Sequence, residues 1–255
     1  MAFTVHAVMP GVWHIVDCMG VCMTLLEGEN AAMLVDTGYG IEDVADFMRH
    51  MTDLPLTVFL THNHHDHAMG ARCFPETYML EADMADWDMF TNDKMRRRVL
   101  TQAIGKNLTV DEKTFLAGEI PLPKVMKPGV IDLGGLTAEI TEAPGHTPGS
   151  AVVYVPERKL LLSGDDWNPC TWLFFPQALG LREYRSNMRG IQQLPFEKVL
   201  CPHREALYDR WMFDDFFNAL TDGNLRAAEP VNIAPYEQID TCQATLPHDQ
   251  VFVFD

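Results

Sequence analysis

Four of the ten histidines of this 255-residue chain fall inside one short stretch, Thr61-His62-Asn63-His64-His65-Asp66-His67. The stretch closes an apolar run, 56–62, that reads as a strand. Alternate residues of an extended segment point the same way, so His62 and His64 can reach one metal ion together. Where the chain then turns, Asp66 and His67 can face a second ion. Imidazole and carboxylate are the usual donors for zinc and its neighbours. The bland alternative is a histidine-rich surface loop with casual metal affinity. His65, the odd residue out, is expected beside the site or exposed, not as a ligand.

Three later features share the same setting. Pro144-Gly145-His146-Thr147-Pro148-Gly149 places a histidine in a rigid turn after a strand. Ser163-Gly164-Asp165 puts a carboxylate just after an apolar strand, and Pro202-His203 does the same for a histidine. Each alone is more simply a hydrogen-bonded residue at a strand end. All of them end strands in the same sense, so one sheet edge can gather them, as a metal site requires.

The elements that must do this are legible as hydrophobic patterns. Strands are expected at 12–18, 21–27, 31–38 and 56–62, then at 136–146, at two runs within 150–165, and at 198–203. A helix after Gly40 carries Ile41, Val44, Phe47, Met48 and Met51 at helical spacing. Two later helices show Leu181, Tyr184, Met188 and Ile191, and then Leu207, Trp211 and Leu220. The segment 83–127 looks helical and is expected as an insertion or lid, with Arg96, Arg97 and Arg98 on a solvated helix face. This order fits two sheets with helices packed outside, in one domain spanning 1–255.

Composition narrows the functional classes. The chain is 47% hydrophobic, enough for a sizeable core, and its formal net charge of -17 argues against nucleic acid and anionic membranes as partners. No signal peptide or membrane-spanning run is read, and the six scattered cysteines read as reduced thiols, so the expected location is cytoplasmic. A small-molecule substrate is the expected partner. A homodimer is left open.

With Asp36-Thr37-Gly38, the His-x-His-x-Asp-His string, Pro-Gly-His-Thr-Pro-Gly-Ser, Ser-Gly-Asp and His203 in that order, the chain resembles the metallo-β-lactamase superfamily over most of its length. The resemblance implies an α/β fold, a four-layer αββα sandwich with a helical insertion, holding two zinc ions (manganese or iron as substitutes) at one edge. It implies that His62, His64 and His146 bind the first ion. Asp66, His67 and His203 would bind the second, with Asp165 bridging. Asp36 either steadies the ligand loop or is an ordinary turn-former before glycine.

The function this implies is a dinuclear zinc-dependent hydrolase. A metal-bridging hydroxide would cleave a small acyl substrate: an ester, thioester, lactone or β-lactam. Asp66 is expected to pass a proton to the leaving group as well. Asp165 resembles glyoxalase II-type and lactonase-type sites, where many periplasmic β-lactamases have cysteine. Yet the Gly-Cys-Gly-Arg segment of glyoxalase II is missing, and Asn168 stands where acyl-homoserine lactonases place tyrosine. Alternatives are a mononuclear iron-dependent sulfur dioxygenase-type member, a phosphodiesterase, and a binding protein that kept the fold without the chemistry. Trp167, Asn168 and Trp172 are expected to line the substrate pocket, with the 83–127 segment as its other wall. Phe174 and Phe175 are read as core.

Overall fold

Short apolar strands, the central ones buried on both faces, make the centre of the structure, a computed structural model that describes residues 3–255. The first sheet has seven strands in chain order. They are β1 (Thr4–Met9), β2 (Val12–Val16), β3 (Cys22–Glu27), β4 (Ala32–Val35), β5 (Leu56–Phe59), β6 (Tyr78–Met79) and β7 (Lys124–Val125). The hairpins β1 to β4 are antiparallel; β4, β5 and β6 run parallel.

The second sheet holds β8 (Gly129–Asp132), β9 (Thr137–Glu142), β10 (Ala151–Val155), β11 (Leu160–Leu162), β13 (Lys198–Leu200) and β14 (Tyr208–Asp209). Strand β12 (Cys170–Leu173) joins β15 (Glu229–Val231), β16 (Thr241–Leu246) and β17 (Gln250–Phe254) in a third sheet of four. Sequence patterning missed β1, the short strands β6, β7, β8 and β14, and all of this third sheet. Residues 170–173, Cys-Thr-Trp-Leu, are too short a run to show a period, and they become a strand only because β17 pairs with them in parallel, Trp172 opposite Val253.

Period-two burial explains the layering. Leu26, Met33, Val35 and Phe59 turn inward from the first sheet and meet Ile140, Val153, Leu160 and Leu162 of the second. The opposite face of the first sheet (Leu25, Leu34, Val58) is covered by α1 (Val44–Met51) through Val44 and Met48. The opposite face of the second (Val152, Leu161, Val199) is covered by the later helices Leu181–Ile191 and Arg210–Ala219. These four layers are the expected αββα sandwich. One detail differs: Trp211 is 49% exposed, and its helix buries Phe213 and Phe216 instead.

Segment 83–127 is helical from Trp87 to Phe115, in α2 (Trp87–Thr91), α3 (Asp93–Gly105) and a short turn at Glu112–Phe115. Asn92 caps α3 by accepting from the Met95 amide. Val99, Leu100 and Phe115 dock on Leu60, Ala68 and Met69, the residues around the histidine string. Among the described residues no helix is long and apolar enough to cross a membrane. All six cysteines are free thiols.

Candidate metal centre

Parallel strand direction gathers the site. Strands β9 and β11 both run antiparallel to β10, and β13 runs parallel to β11, so β9, β11 and β13 end at one edge. His146, Asp165 and His203 follow those three ends, and the histidine string follows β5 on the facing sheet. The string is bent as its roles demand. Thr61 is pinned between the sheets, its amide donating to Asp36 Oδ1 at 2.8 Å and its carbonyl accepting from Ala151 at 2.9 Å. His64 is still extended, and the chain then makes one helical turn at His65–Ala68 that swings Asp66 and His67 back towards the edge.

The seven residues meet there. Donor atoms of His62, His64 and His146 lie within 4.8 Å of one another, as do those of His62, His67 and Asp165, and those of Asp66, His67 and His203. Asp165 Oδ2 joins the halves. It lies 3.5 Å from His146 Nε2 on one side, and 3.5 Å from His67 Nε2 and 3.1 Å from His203 Nε2 on the other. His62 Nε2, His67 Nε2 and Asp165 Oδ1 are buried at the centre without a hydrogen-bond partner. Burying such groups unsatisfied is costly, and a cation among them removes the cost. The donor set therefore fits divalent metal.

Electrostatics separate the two halves. Burial holds His62 and His64 well below the usual imidazole range, so both are neutral with lone pairs to offer. Burial pulls His67 down too, but the carboxylates of Asp165, Asp66 and Asp36 outweigh it and hold this imidazole well above its ordinary value. For Asp165 burial works upward, but His203 and His67 keep the carboxyl well below the carboxylate range.

The outer ring nitrogens are held from behind. His62 Nδ1 lies 3.0 Å from the Thr61 hydroxyl, His146 Nδ1 donates to the Trp172 carbonyl at 2.8 Å, and His67 Nδ1 meets Asp36 Oδ2 at 3.0 Å. Asp36 sits at φ 64, a left-handed conformation that Asp tolerates better than most residues. Its carboxylate thus joins Thr61 to His67, which is more than turn-forming.

Two supports carried no sequence signal. Asp83, 1% exposed, accepts from the amides of Asn63 and Gly149 and from the Thr147 hydroxyl, tying the 62–67 loop to the 144–149 turn. A side chain on Gly149 would meet Asp83 atoms at 2.6–2.7 Å, so glycine is required for that approach. The Gln177 amide nitrogen lies 2.6 Å from His64 Nε2. A lone Asp in a short 3-10 helix and a lone Gln in a turn are indistinguishable from solvated residues until the chain folds.

The family model described as metallo-beta-lactamase superfamily matches residues 16–203. The chain belongs to the metallo-β-lactamase superfamily. By that membership it is a metal-dependent hydrolase, and its His/Asp cluster fits the divalent metal such enzymes use. Among curated proteins this superfamily member is similar to acyl-coenzyme A thioesterase MBLAC2 of Gallus gallus, 26% identical over 202 residues, 70% of each chain. Among solved structures it is similar in fold to a metallo-beta-lactamase from Pontibacter korlensis. That match has a TM-score of 0.59 and 17% identity, covering 85% of this chain and 98% of the other. It is likewise similar to TTHA1623 in a di-iron-bound form, with a TM-score of 0.55 and 19% identity over 78% and 94%.

A cavity of 640 Å³ opens over the cluster, reaching His64, His146, Asp66, Asp165 and His203. Asn168 and Trp172 line it. Trp167 does not. It is fully buried in the core under the later helices, edge-on to Tyr208, with its indole nitrogen donating to Gln250. The turn at Gly164–Asp166 reverses the chain, so nearness to Asp165 in sequence sends Trp167 inward. Phe174 is core, but Phe175 lines the cavity, its ring 4.8 Å from that of His64. The three arginines of α3 also differ from a solvated face. Arg96 is buried and bonded to Asp93 and to the carbonyl of Gly118, Arg97 is exposed, and Arg98 lines the cavity.

Proposed function

We propose that this chain is a dinuclear zinc hydrolase of small acyl substrates, with thioesters foremost among esters, thioesters, lactones and β-lactams. The observation that carries the reading is the position of Asp165 Oδ2 between His146 on one side and His67 and His203 on the other. Two donor groups sharing one carboxylate suit a pair of ions better than a single one. In this reading His62, His64 and His146 hold one ion, Asp66, His67 and His203 the other, and Asp165 both. The thioester preference is supported by the likeness to an acyl-coenzyme A thioesterase.

When bound, such a pair supplies Lewis acidity, which makes hydroxide available near neutral pH and polarises an acyl carbonyl. The rest is work for the chain's own groups. Phe175 and Trp172, with Phe90 from α2, offer apolar contact to an acyl group and shed water from it. Burial pushes the Asp66 carboxyl up, but His67, His65 and His203 bring it down to about 2, so it faces the cavity ionised. There it accepts a proton from the attacking water and delivers it to the leaving group. Helices α2 and α3 contribute Phe90, Met95, Arg98 and Gln102 to the cavity wall.

The test is metal analysis of the purified protein together with a panel of chromogenic ester, thioester, lactone, β-lactam and phosphodiester substrates. The expected result is about two zinc ions per chain and thioester hydrolysis abolished by chelation. Iron with oxygen consumption, or activity indifferent to chelator, would overturn the reading.

A further inference from the structure

Two arginines line the cavity, Arg98 and Arg204, and the reaction above uses neither; Arg98 is the less exposed. Along α3, Met95, Arg98 and Gln102 share a face at helical spacing, and all three line the cavity. The Arg98 guanidinium lies over the Tyr236 ring, 5.3 Å from its centroid. Tyr236 in turn packs edge-on against Phe175 at 5.3 Å and Trp172 at 6.5 Å, so the guanidinium caps the aromatic side of the cavity.

Its neighbours show what is unusual about it. Arg96 reaches Asp93, and Arg97 lies 4.0 Å from Glu112. Arg98 forms no ion pair within 4.0 Å among the described residues, in a chain with 36 acidic residues against 19 Lys and Arg. Arg204, the cavity's other Lys or Arg, is exposed and donates to the His203 carbonyl. A partly desolvated guanidinium keeps its charge and presents a planar fork that matches carboxylate or phosphate.

We infer that the cavity binds acyl substrates carrying an anionic group, and that Arg98, held on the Tyr236 ring, recognises that group. The inference rests on the acyl-hydrolase reading for the rest of the substrate. The anion has two sources of the same chemistry: a carboxylate at the far end of the acyl chain, or the phosphates of the thiol carrier. The chain's overall charge repels both, so preference for an anion must come from a local cation.

The experiment uses metal-loaded protein and three thioethers that cannot be hydrolysed: S-hexyl-N-acetylcysteamine, S-(5-carboxypentyl)-N-acetylcysteamine and S-hexyl-coenzyme A. Affinities are measured by calorimetry for wild type, Arg98→Gln and Arg97→Gln. Arg97→Gln removes the same charge from the same helix, on its exposed side. At least one anionic thioether should bind wild type about tenfold tighter than the neutral one, as a charge-assisted pair predicts. Arg98→Gln should erase the difference and Arg97→Gln should keep it. Whichever anion shows the preference names its source. The inference fails if neither anion outbinds the neutral compound, if the preference survives Arg98→Gln, or if Arg97→Gln erases it equally. The corresponding thioesters separate the two claims. Selective thioether binding without thioester hydrolysis sinks the thioester preference and leaves the anion site standing.

Discussion

The ring of His67 is gripped from behind by Asp36: Nδ1 lies 3.0 Å from Oδ2, with His67 fully buried and Asp36 2% exposed. The same carboxylate receives the amide and hydroxyl of Thr61, the residue just before His62. One side chain therefore sets the orientation of an imidazole in one half of the cluster and the entry of the strand into the other.

Asp36→Ala should weaken metal binding by about 10- to 100-fold, the usual cost of losing such a supporting carboxylate. Competition against a chromogenic chelator measures it. Unchanged affinity for both ions would show that Thr61 and His67 are held by packing alone.

Asp66 is assigned two tasks, and substitution can part them. Asp66→Asn keeps the shape and an oxygen donor but cannot take up a proton. With saturating zinc, kcat should fall by about 10²- to 10⁴-fold, the range for a lost proton-transfer group, with KM moving much less. A variant that holds both ions and turns over at the wild-type rate removes the proton transfer from the mechanism.

Asp17 is a test of pH dependence away from the cluster. Burial pushes its carboxyl up, against four backbone amides that donate to it from Met19, Gly20, Val21 and Tyr39. A carboxyl with a raised folded pKa binds its proton more tightly folded than unfolded. Its contribution therefore favours the fold at low pH and is lost as pH climbs from the unfolded value, about 4, through the folded one. Asp17→Asn lacks this titration. In urea unfolding of chelator-treated protein, wild type should lose more stability than Asp17→Asn between pH 4.5 and pH 7.5. An equal change in both would show that the side chain titrates alike in the two states.

Trp167 and Trp172 should behave oppositely. Trp167→Ala hollows the core beneath the later helices and should cost about 3–5 kcal/mol in urea unfolding, with KM of the surviving folded enzyme little changed. Trp172→Ala, at the cavity wall, should raise KM for acyl substrates and cost far less stability. Reversed effects would return Trp167 to the pocket.

The residues of the cluster were legible from sequence because their spacing obeys local rules. An extended segment beyond β5 followed by a helical turn presents His62 and His64 to one side and Asp66 and His67 to another, and the later three residues each follow an apolar run. The central strands of the two sheets were legible for the same reason: β4, β10 and β11 are apolar enough to demand burial on both faces, whereas the exposed edge strands β1, β7 and β8 give no such pattern. Other features depend on partners remote in the chain. β12 needs β17, some eighty residues later, and Trp172 owes its place at the cavity to that pairing. Asp83 reads as one more acidic residue until Asn63 and Gly149 arrive to donate to it. Arg96, Arg97 and Arg98 are one charge run in sequence, but a helix turns successive residues by about 100°. Docking of α3 then sends one arginine inward, leaves one in water and aims one at the cavity. Local periodicity decides which side a residue faces; only the packing of distant segments decides what it faces.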